Sequence, residues 1–160
     1  MRRKRRRRLL GGWIPTEHNV VRAMLQIARV NAEDVVYDLG CGDGRILIMA
    51  VKEFGAKRAV GYELRDEPYT EALSNIKREN LQDKITVNKQ DIFESNFADA
   101  SVITLYMGGK ANELLRPKLE KKARPGTRVI SHQFKIYSWR IDSQKETNPN
   151  SDTMIFRYVV

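Results

Sequence analysis

The sequence predicts an α/β fold, namely a doubly wound, mostly parallel seven-stranded sheet that ends in an antiparallel hairpin. Apolar segments with strand character alternate with amphipathic helical segments, which is typical of a parallel sheet covered on both faces. The last two predicted strands have no helix between them, which indicates a hairpin. The 160 residues, 41% of them hydrophobic, suit one domain with a packed core.

The predicted strands are short apolar segments bounded by turn residues. In chain order they are Asp34–Leu39, Arg58–Leu64, Lys84–Asn88, Ser101–Met107, Thr127–Phe134, Ile136–Ile141 and Thr153–Val159. Asn148, Pro149 and Asn150 mark the turn inside the final hairpin. This arrangement predicts one antiparallel strand at the edge of an otherwise parallel sheet.

The predicted helices carry apolar residues at a spacing of three or four. In chain order they are a helix containing Val20–Ala28 and the segments Gly44–Phe54, Asp66–Asn80 and Lys110–Lys122. Thr16 is the candidate N-cap of the first helix, and Gly55 closes the second. Pro68 lies in the first turn of the third, where a missing N–H costs little, and Pro117 is expected to kink the fourth.

Composition excludes several classes of protein. The longest apolar run, Ile46–Val51, is far shorter than the roughly 20 residues that span a bilayer, so no membrane protein is expected. One cysteine, Cys41, excludes a disulfide scaffold and a cysteine-rich zinc site, and no metal site is predicted. That cysteine usage fits a reducing, cytoplasmic location.

The net charge of +9 resides mainly at the N-terminus. Residues 2–8 are all Lys or Arg, and the remaining 22 basic residues nearly balance the 20 acidic ones. We therefore expect residues 1–10 to form a basic disordered tail and residues 11–160 to form the single domain. A run such as Arg2–Arg8 can contact phosphate, which makes it a candidate nucleic-acid contact. Leu9–Ile14 is too short for the apolar part of a signal peptide.

An acidic glycine-rich loop, DLGCGDG over residues 38–44, follows the first strand. Alternating glycines permit a tight turn and let a ligand approach the backbone. The spacing is neither the GxGxxG of dinucleotide folds nor the GxxxxGK[ST] of phosphate-binding loops. Asp38 and Asp43 would repel a pyrophosphate, so the expected ligand is neutral or cationic here. The loop residues expected to contact it are Asp38, Gly40, Cys41, Gly42 and Gly44.

Two further acids end neighbouring strands. Glu63 at the end of strand two can accept both hydroxyls of a ribose. Asp91 after strand three can accept from an exocyclic amine such as that of adenine, and Ile92 offers an apolar wall and a backbone N–H. With Asp38 as partner of an ammonium group, this set matches S-adenosylmethionine, which also carries a sulfonium cation. The sequence therefore predicts S-adenosylmethionine as the cofactor.

The chain resembles the seven-stranded (class I) S-adenosylmethionine-dependent methyltransferases over residues 15–159. The residues that carry the resemblance are DLGCGDG at 38–44, the acid within VGYEL at 60–64, and QDIF at 90–93. The D-x-G-x-G-x-G motif between a strand and a helix is specific for that family. The resemblance implies a Rossmann-like methyltransferase fold.

A closer similarity is to the small archaeal protein-lysine methyltransferases. It rests on WIPTEHNVVRAMLQIA at 13–28, VVYDLGCGDGRILI at 35–48 and ANELLRPKLEKKARPGTRVISHQF at 111–134. It implies methyl transfer to lysine side chains of many proteins that expose such lysines. The chain departs from the family at Arg2–Arg8 and at the plain, glycine-containing loop Tyr106–Lys110, which leaves the substrate open. No oligomeric state is predicted.

Methyl transfer from a sulfonium requires an acceptor held about 3–3.5 Å from the methyl carbon. A lysine amine, with a pKa of about 10.4, must first lose its proton. Burial in an aromatic channel beside a cation lowers that pKa without a dedicated base. The aromatic candidates are Tyr106 at the end of strand four and, elsewhere, Trp13, Phe134, Tyr137 and Trp139.

Three polar residues complete the expected site. Asn112 is a candidate to hydrogen-bond the incoming amine, and His132 at the end of strand five is a candidate substrate contact. Thr16 is a candidate contact of the cofactor's carboxylate.

Other functions stay open. The basic tail favours an RNA or DNA methyltransferase as the alternative, but enzymes that methylate base amines often carry an Asn/Asp-Pro-Pro-aromatic turn after strand four. Leu105-Tyr106-Met107-Gly108 stands there instead. A small-molecule methyltransferase and a protein that binds the cofactor without methylating are further alternatives. The chain has no insertion long enough for a lid, which favours a macromolecular acceptor.

Overall fold

The computed structural model describes residues 13–148 and 150–160. Within them, seven strands form one sheet in the order β3-β2-β1-β4-β5-β7-β6. The strands are β1 Val35–Leu39, β2 Arg58–Tyr62, β3 Ile85–Asn88, β4 Val102–Leu105, β5 Arg128–His132, β6 Ser143–Asn148 and β7 Ser151–Val159. The predicted tail, residues 1–10, and Pro149 of the predicted hairpin turn lie outside the described residues. The predicted fold class is confirmed.

Four α-helices accompany the sheet in the described part of the chain. They are α1 His18–Ile27, α2 Arg45–Lys52, α3 Asp66–Arg78 and α4 Gly109–Lys122, with a short 3₁₀ helix over Ile92–Glu94. α4 continues through Pro117. The prediction of Thr16 as N-cap is wrong, because Glu17 occupies that position without a side-chain cap. The Thr16 hydroxyl instead faces His132 across the fold.

The two faces of the sheet carry separate cores. Met24 of α1, Leu47 of α2 and Ala72 of α3 pack in one apolar layer. Leu115 and Leu119 of α4 pack in the layer on the other face. The central strands β1, β2, β4 and β5 are therefore buried from both sides, which explains why they read as nearly continuous apolar runs.

Parallel pairing brings the carboxyl ends of the central strands to one edge. β1 pairs in parallel with β2 on one side and with β4 on the other. The strands that follow β1 are thus placed first on one side of it (β2 and β3) and then on the other (β4 and β5). Open α/β sheets bind ligands in the crevice at such a switch in strand order. Asp38 and Leu39 of β1 lie at that edge, beside Tyr62 of β2 and Leu105 of β4.

The C-terminal hairpin differs from the prediction. The predicted strand Ile136–Ile141 does not form: the Ile136 N–H donates to the Tyr158 hydroxyl at 2.9 Å, and a turn follows at residues 137–138. β6 is the polar segment Ser143–Asn148, which shows no apolar alternation. β7 is antiparallel to both β5 and β6, so the antiparallel strand lies second from the edge and β6 forms the edge.

Candidate functional site

A cleft with a cavity volume of about 100 Å³, partly open to solvent, lies at the carboxyl ends of the central strands. The N-terminal segment, residues 13–16, forms one wall, and residues 40–43 of the glycine loop form the floor. Most of the predicted site residues line this cleft: Trp13, Thr16, Asp38, Gly40, Cys41, Gly42, Glu63, Asp91, Ile92 and Tyr106.

The glycine loop takes its shape from close approaches that a side chain would block. Gly42 has a φ of +54°, and a Cβ there would lie 2.3 Å from the indole nitrogen of Trp13. On β2, a Cβ at Gly61 would lie 2.6 Å from the Cys41 sulfur. The loop therefore fits between Trp13 above and β2 below only because these two residues are glycines.

Glu63 ties the glycine loop to the end of β2. Its carboxylate is buried and accepts from the Gly42 N–H at 3.0 Å and from the Arg65 N–H at 2.8 Å. A carboxylate offers about four acceptor positions, so two backbone bonds leave capacity for ligand hydroxyls. The motif residue that was predicted to bind a ligand also fixes the loop.

Asp38 is buried at the base of the cleft. Its Oδ1 lies 2.8 Å from the Thr104 hydroxyl of β4. Burial raises the pKa of Asp38 to about 7; the Thr104 bond lowers it, while the nearby Glu63 and Asp43 carboxylates raise it. A cation bound here would favour the ionised form of this carboxyl.

Asp43 organises the loop through Arg45. The Arg45 guanidinium binds both carboxylate oxygens of Asp43, at 2.6 Å for the closest pair. The same guanidinium donates to the Thr16 carbonyl at 2.9 Å. Arg45 thereby joins the glycine loop to the N-terminal segment. Sequence reasoning missed Arg45, although it directly follows the DLGCGDG motif.

Asp91 begins the 3₁₀ helix that follows β3. Its carboxylate accepts from the Phe93 N–H at 3.0 Å and caps that helix. Lys118 of α4 donates to the Phe93 carbonyl at 2.7 Å and holds the segment from the other side. Ile92 and Phe93 then supply an apolar wall of the cleft beside the Asp91 carboxylate.

An aromatic strip, which we define as Tyr106, His132 and Phe134, flanks the cleft at the ends of β4 and β5. The Tyr106 ring lies 4.0 Å from the His132 ring and 6.2 Å from the Phe134 ring, between centroids. His132 is buried, and burial lowers its pKa to about 4. Its Nδ1 lies 3.4 Å from the Thr16 hydroxyl, which connects the strip to the N-terminal segment.

Six predicted residues lie outside the cleft lining. Two of them, Phe134 and Tyr137, are 38% and 77% exposed. Gly44 packs near Ala72 of α3, and His132 stands behind Tyr106. Asn112 is fully buried on α4 and donates to the Phe134 carbonyl rather than facing the cleft. Trp139 donates from its indole N–H to Glu120 at 2.8 Å and stacks edge-on against Tyr158. Asn112 and Trp139 therefore do not line the cleft, and their substrate contacts stay predictions.

The cleft also contains residues that sequence reasoning did not select. These are Ile14, Pro15, Arg45, Ile46, Tyr62, Leu64, Arg65, Phe93 and Met107. Most are chain neighbours of selected residues, so strand-end position was the available signal. Apolar side chains in such positions carry no chemical signature of their own.

No group of His, Cys, Asp and Glu side chains within residues 13–148 and 150–160 is arranged to hold a metal ion. In the same part of the chain, none of the helices has the length and apolar character needed to cross a bilayer.

Comparison with known proteins places this geometry among methyltransferases. A family model described as the ANTKMT methyltransferase domain matches residues 38–143. A protein-lysine N-methyltransferase of Saccharolobus islandicus is 44% identical over 92% of both chains. An RNA methyltransferase of Salinibacter ruber, crystallised with S-adenosyl-L-homocysteine, is 37% identical with a TM-score of 0.86, over 91% of this chain and 93% of that one.

More distant relatives are longer. The adenine nucleotide translocase lysine N-methyltransferase of Mus musculus is 29% identical over 64% of this chain. The matched part makes up 44% of that mouse protein.

We predict that Asp38→Asn raises the free energy of unfolding at pH 8. Because the pKa of Asp38 is raised to about 7, the folded state retains a proton that the unfolded state loses from about pH 4 upward. Wild-type stability therefore falls between pH 4 and 7, by an upper limit of about 4 kcal/mol for three pKa units. Asparagine does not titrate. Denaturant unfolding of both proteins at pH 4 and pH 8 measures how much more stable the variant is than the wild type. This difference in unfolding free energy should be smaller at pH 4 than at pH 8.

The control for that prediction is Asp152→Asn, a change of an exposed carboxyl on β7. It should leave the unfolding free energy within about 0.5 kcal/mol at both pH values. If Asp38→Asn raises the free energy of unfolding equally at pH 4 and pH 8, the idea that Asp38 is a buried, protonated carboxyl is wrong.

We predict that Gly42→Ala weakens binding of S-adenosylhomocysteine at least tenfold. The new methyl group would collide with Trp13 and strain a backbone at positive φ, which displaces the N–H that Glu63 accepts. Gly55→Ala is the matched control, because Gly55 has a φ of +70° but no atoms within 4 Å of its Cβ position. Calorimetric titration should show unchanged affinity for the control. If both variants lose the same affinity, backbone strain at positive φ, and not the collision with Trp13, causes the loss.

Proposed function

Because this chain belongs to the ANTKMT methyltransferase domain family, within the class I methyltransferases, we propose that it transfers methyl groups from S-adenosylmethionine to lysine side chains of proteins. The observation that carries the proposal is the convergence of Asp38, Glu63 and Asp91 on one cleft that is bordered by Tyr106. The 44% identity with a protein-lysine N-methyltransferase over nearly the whole chain supports lysine as the acceptor.

The donor set of the cleft fits the cofactor. Three carboxylates suit a ligand that presents an ammonium, ribose hydroxyls and an adenine amine, for which we assign Asp38, Glu63 and Asp91 in that order. The backbone at Gly40, Cys41 and Gly42 leaves the floor free of bulky side chains, and Ile92 supplies an apolar wall. When bound, S-adenosylmethionine supplies an electrophilic methyl group on a sulfonium.

The protein's task on the acceptor side is to orient an uncharged amine and exclude water. Tyr106 lines the cleft at the end of β4, next to the floor that we assign to the cofactor. An ammonium group moved against this aromatic wall loses hydration, which lowers its pKa and favours the neutral nucleophile. His132 keeps the Tyr106 ring in place from behind, and its own low pKa keeps it uncharged at neutral pH.

We also propose a broad range of protein acceptors. The mouth of the cleft is bordered by the partly exposed Trp13 and Ile14, and it is open to solvent. Such a rim suits a lysine that protrudes from a folded protein. Contact of Arg2–Arg8 with nucleic acid and a cytoplasmic location remain predictions.

RNA methylation is the second candidate. The 37% identical protein of Salinibacter ruber is described as an RNA methyltransferase, and the basic run Arg2–Arg8 could bind RNA. Against it stands Leu105-Tyr106-Met107-Gly108 after β4, which lacks the amide, acid or proline groups that hold a flipped base amine.

The test is transfer of labelled methyl from S-adenosylmethionine to a mixture of unmodified basic proteins and total RNA. We expect label that protease releases and acid hydrolysis recovers as methyl-lysine. Label released by nuclease instead would overturn lysine in favour of RNA.

Glu63→Gln links that activity to the cleft. Replacing a buried carboxylate that accepts two backbone N–H groups should raise the KM for S-adenosylmethionine at least tenfold, since charged hydrogen bonds contribute about 1.5–3 kcal/mol each. Glu94→Gln, an exposed change on the nearby 3₁₀ helix, should leave that KM within twofold. Wild-type kinetics in Glu63→Gln would reject the assigned cofactor position.

A further inference from the structure

The chain turns sharply where β5 leaves the sheet. The Phe134 N–H donates to the His132 carbonyl at 2.8 Å, and Gln133 between them has a φ of +69°. A hydrogen bond across one residue at positive φ is a γ-turn of the rare, strained form. Strain of this kind persists where the surroundings enforce it, and it concentrates at functional sites.

Neighbouring elements hold this turn in place. The Gln133 N–H donates to the Met154 carbonyl of β7 at 2.7 Å. The Phe134 carbonyl accepts from the Asn112 amide at 3.1 Å and from the Ser131 hydroxyl. Asn112 also donates to the Ser131 hydroxyl at 3.1 Å, so α4 and β5 grip the same carbonyl from two sides.

The turn aims two side chains at Tyr106. His132 and Phe134 are the residues on either side of the turn, and their rings flank the Tyr106 ring. Exposure rises along the strip, from buried His132 through half-buried Tyr106 to Phe134, which is 38% exposed. The strip is therefore a continuous aromatic wall that leads from the cleft to solvent.

A lysine acceptor needs such a wall. Its amine must reach the cleft while four methylene groups remain between the amine and the substrate backbone. Methylenes gain free energy when an apolar surface removes them from water. The Phe134 ring, stacked at 6.2 Å from the Tyr106 ring and 38% exposed, offers such a surface beside the cleft.

We propose that Phe134 is a specificity-determining residue for the acceptor lysine, and that Asn112 is a positioning residue that fixes Phe134 through its carbonyl. This inference rests on the proposed lysine methylation. It gives Asn112 a function that needs no contact with the amine, in agreement with its full burial.

The experiment measures steady-state kinetics with a lysine-containing protein acceptor, varying acceptor and S-adenosylmethionine separately. Phe134→Ala should raise the acceptor KM at least fivefold and leave the KM for S-adenosylmethionine within twofold. Phe134→Tyr should restore the acceptor KM to within twofold of wild type. Val159→Ala is the control, because Val159 is an apolar residue, 47% exposed, that pairs with Arg128 at the amino end of β5, the end of the sheet opposite the cleft.

Asn112→Ala tests the positioning. This variant should raise the acceptor KM as Phe134→Ala does. In the double variant with Phe134→Ala, the acceptor KM should rise by less than a further twofold, because both changes remove the same function. Ser131→Ala removes the second donor to the same carbonyl and serves if Asn112→Ala does not fold, as judged by thermal melting. Additive effects, or wild-type acceptor KM in the folded variants, would overturn the role of Asn112.

The outcomes separate the two proposals. If the wild-type protein forms no methyl-lysine, the proposed function fails and this inference fails with it. If the wild type forms methyl-lysine but Phe134→Ala retains the wild-type acceptor KM, or Val159→Ala raises that KM as much as Phe134→Ala does, only this inference is overturned.

Discussion

Burial of carboxylates at one edge of a parallel sheet is the constraint on which the site depends. Parallel pairing places the ends of β1 and β2 together, so Asp38 and Glu63 share a region from which water is largely excluded. Their charges are tolerated because backbone N–H groups and the Thr104 hydroxyl bind them. The raised pKa of Asp38 shows that this compensation is incomplete, and a cationic ligand would complete it.

The N-terminal segment joins the two halves of the site. Arg45 holds the Thr16 carbonyl on the side of the glycine loop, while the Thr16 hydroxyl meets His132 on the side of the aromatic strip. A displacement of Thr16 would therefore disturb both the glycine loop, through Arg45, and the Tyr106 ring, through His132. Cofactor binding and acceptor binding are expected to be coupled through this residue.

Much of the site could be predicted because its chemistry is concentrated at strand ends. The acids Asp38 and Glu63 follow apolar runs directly, Asp91 comes three residues after β3, and parallel topology brings such positions together. That Asn112 and Trp139 lie outside the cleft could not be predicted, because their surroundings are set by contacts with residues 19 to 22 positions away, which no local pattern reveals. β6 was not predicted for a different reason. As a polar edge strand it pairs through its backbone and shows no apolar alternation.

The surroundings of Cys41 in the glycine loop make its thiol unreactive. The thiol is buried against Gly61, and burial together with the Asp38 and Glu63 carboxylates raises its pKa well above the ordinary value. Oxidants and alkylating reagents attack the thiolate, which this environment suppresses. The cofactor floor should therefore resist peroxide and maleimides in the native state, and it should need no reducing agent to keep its shape.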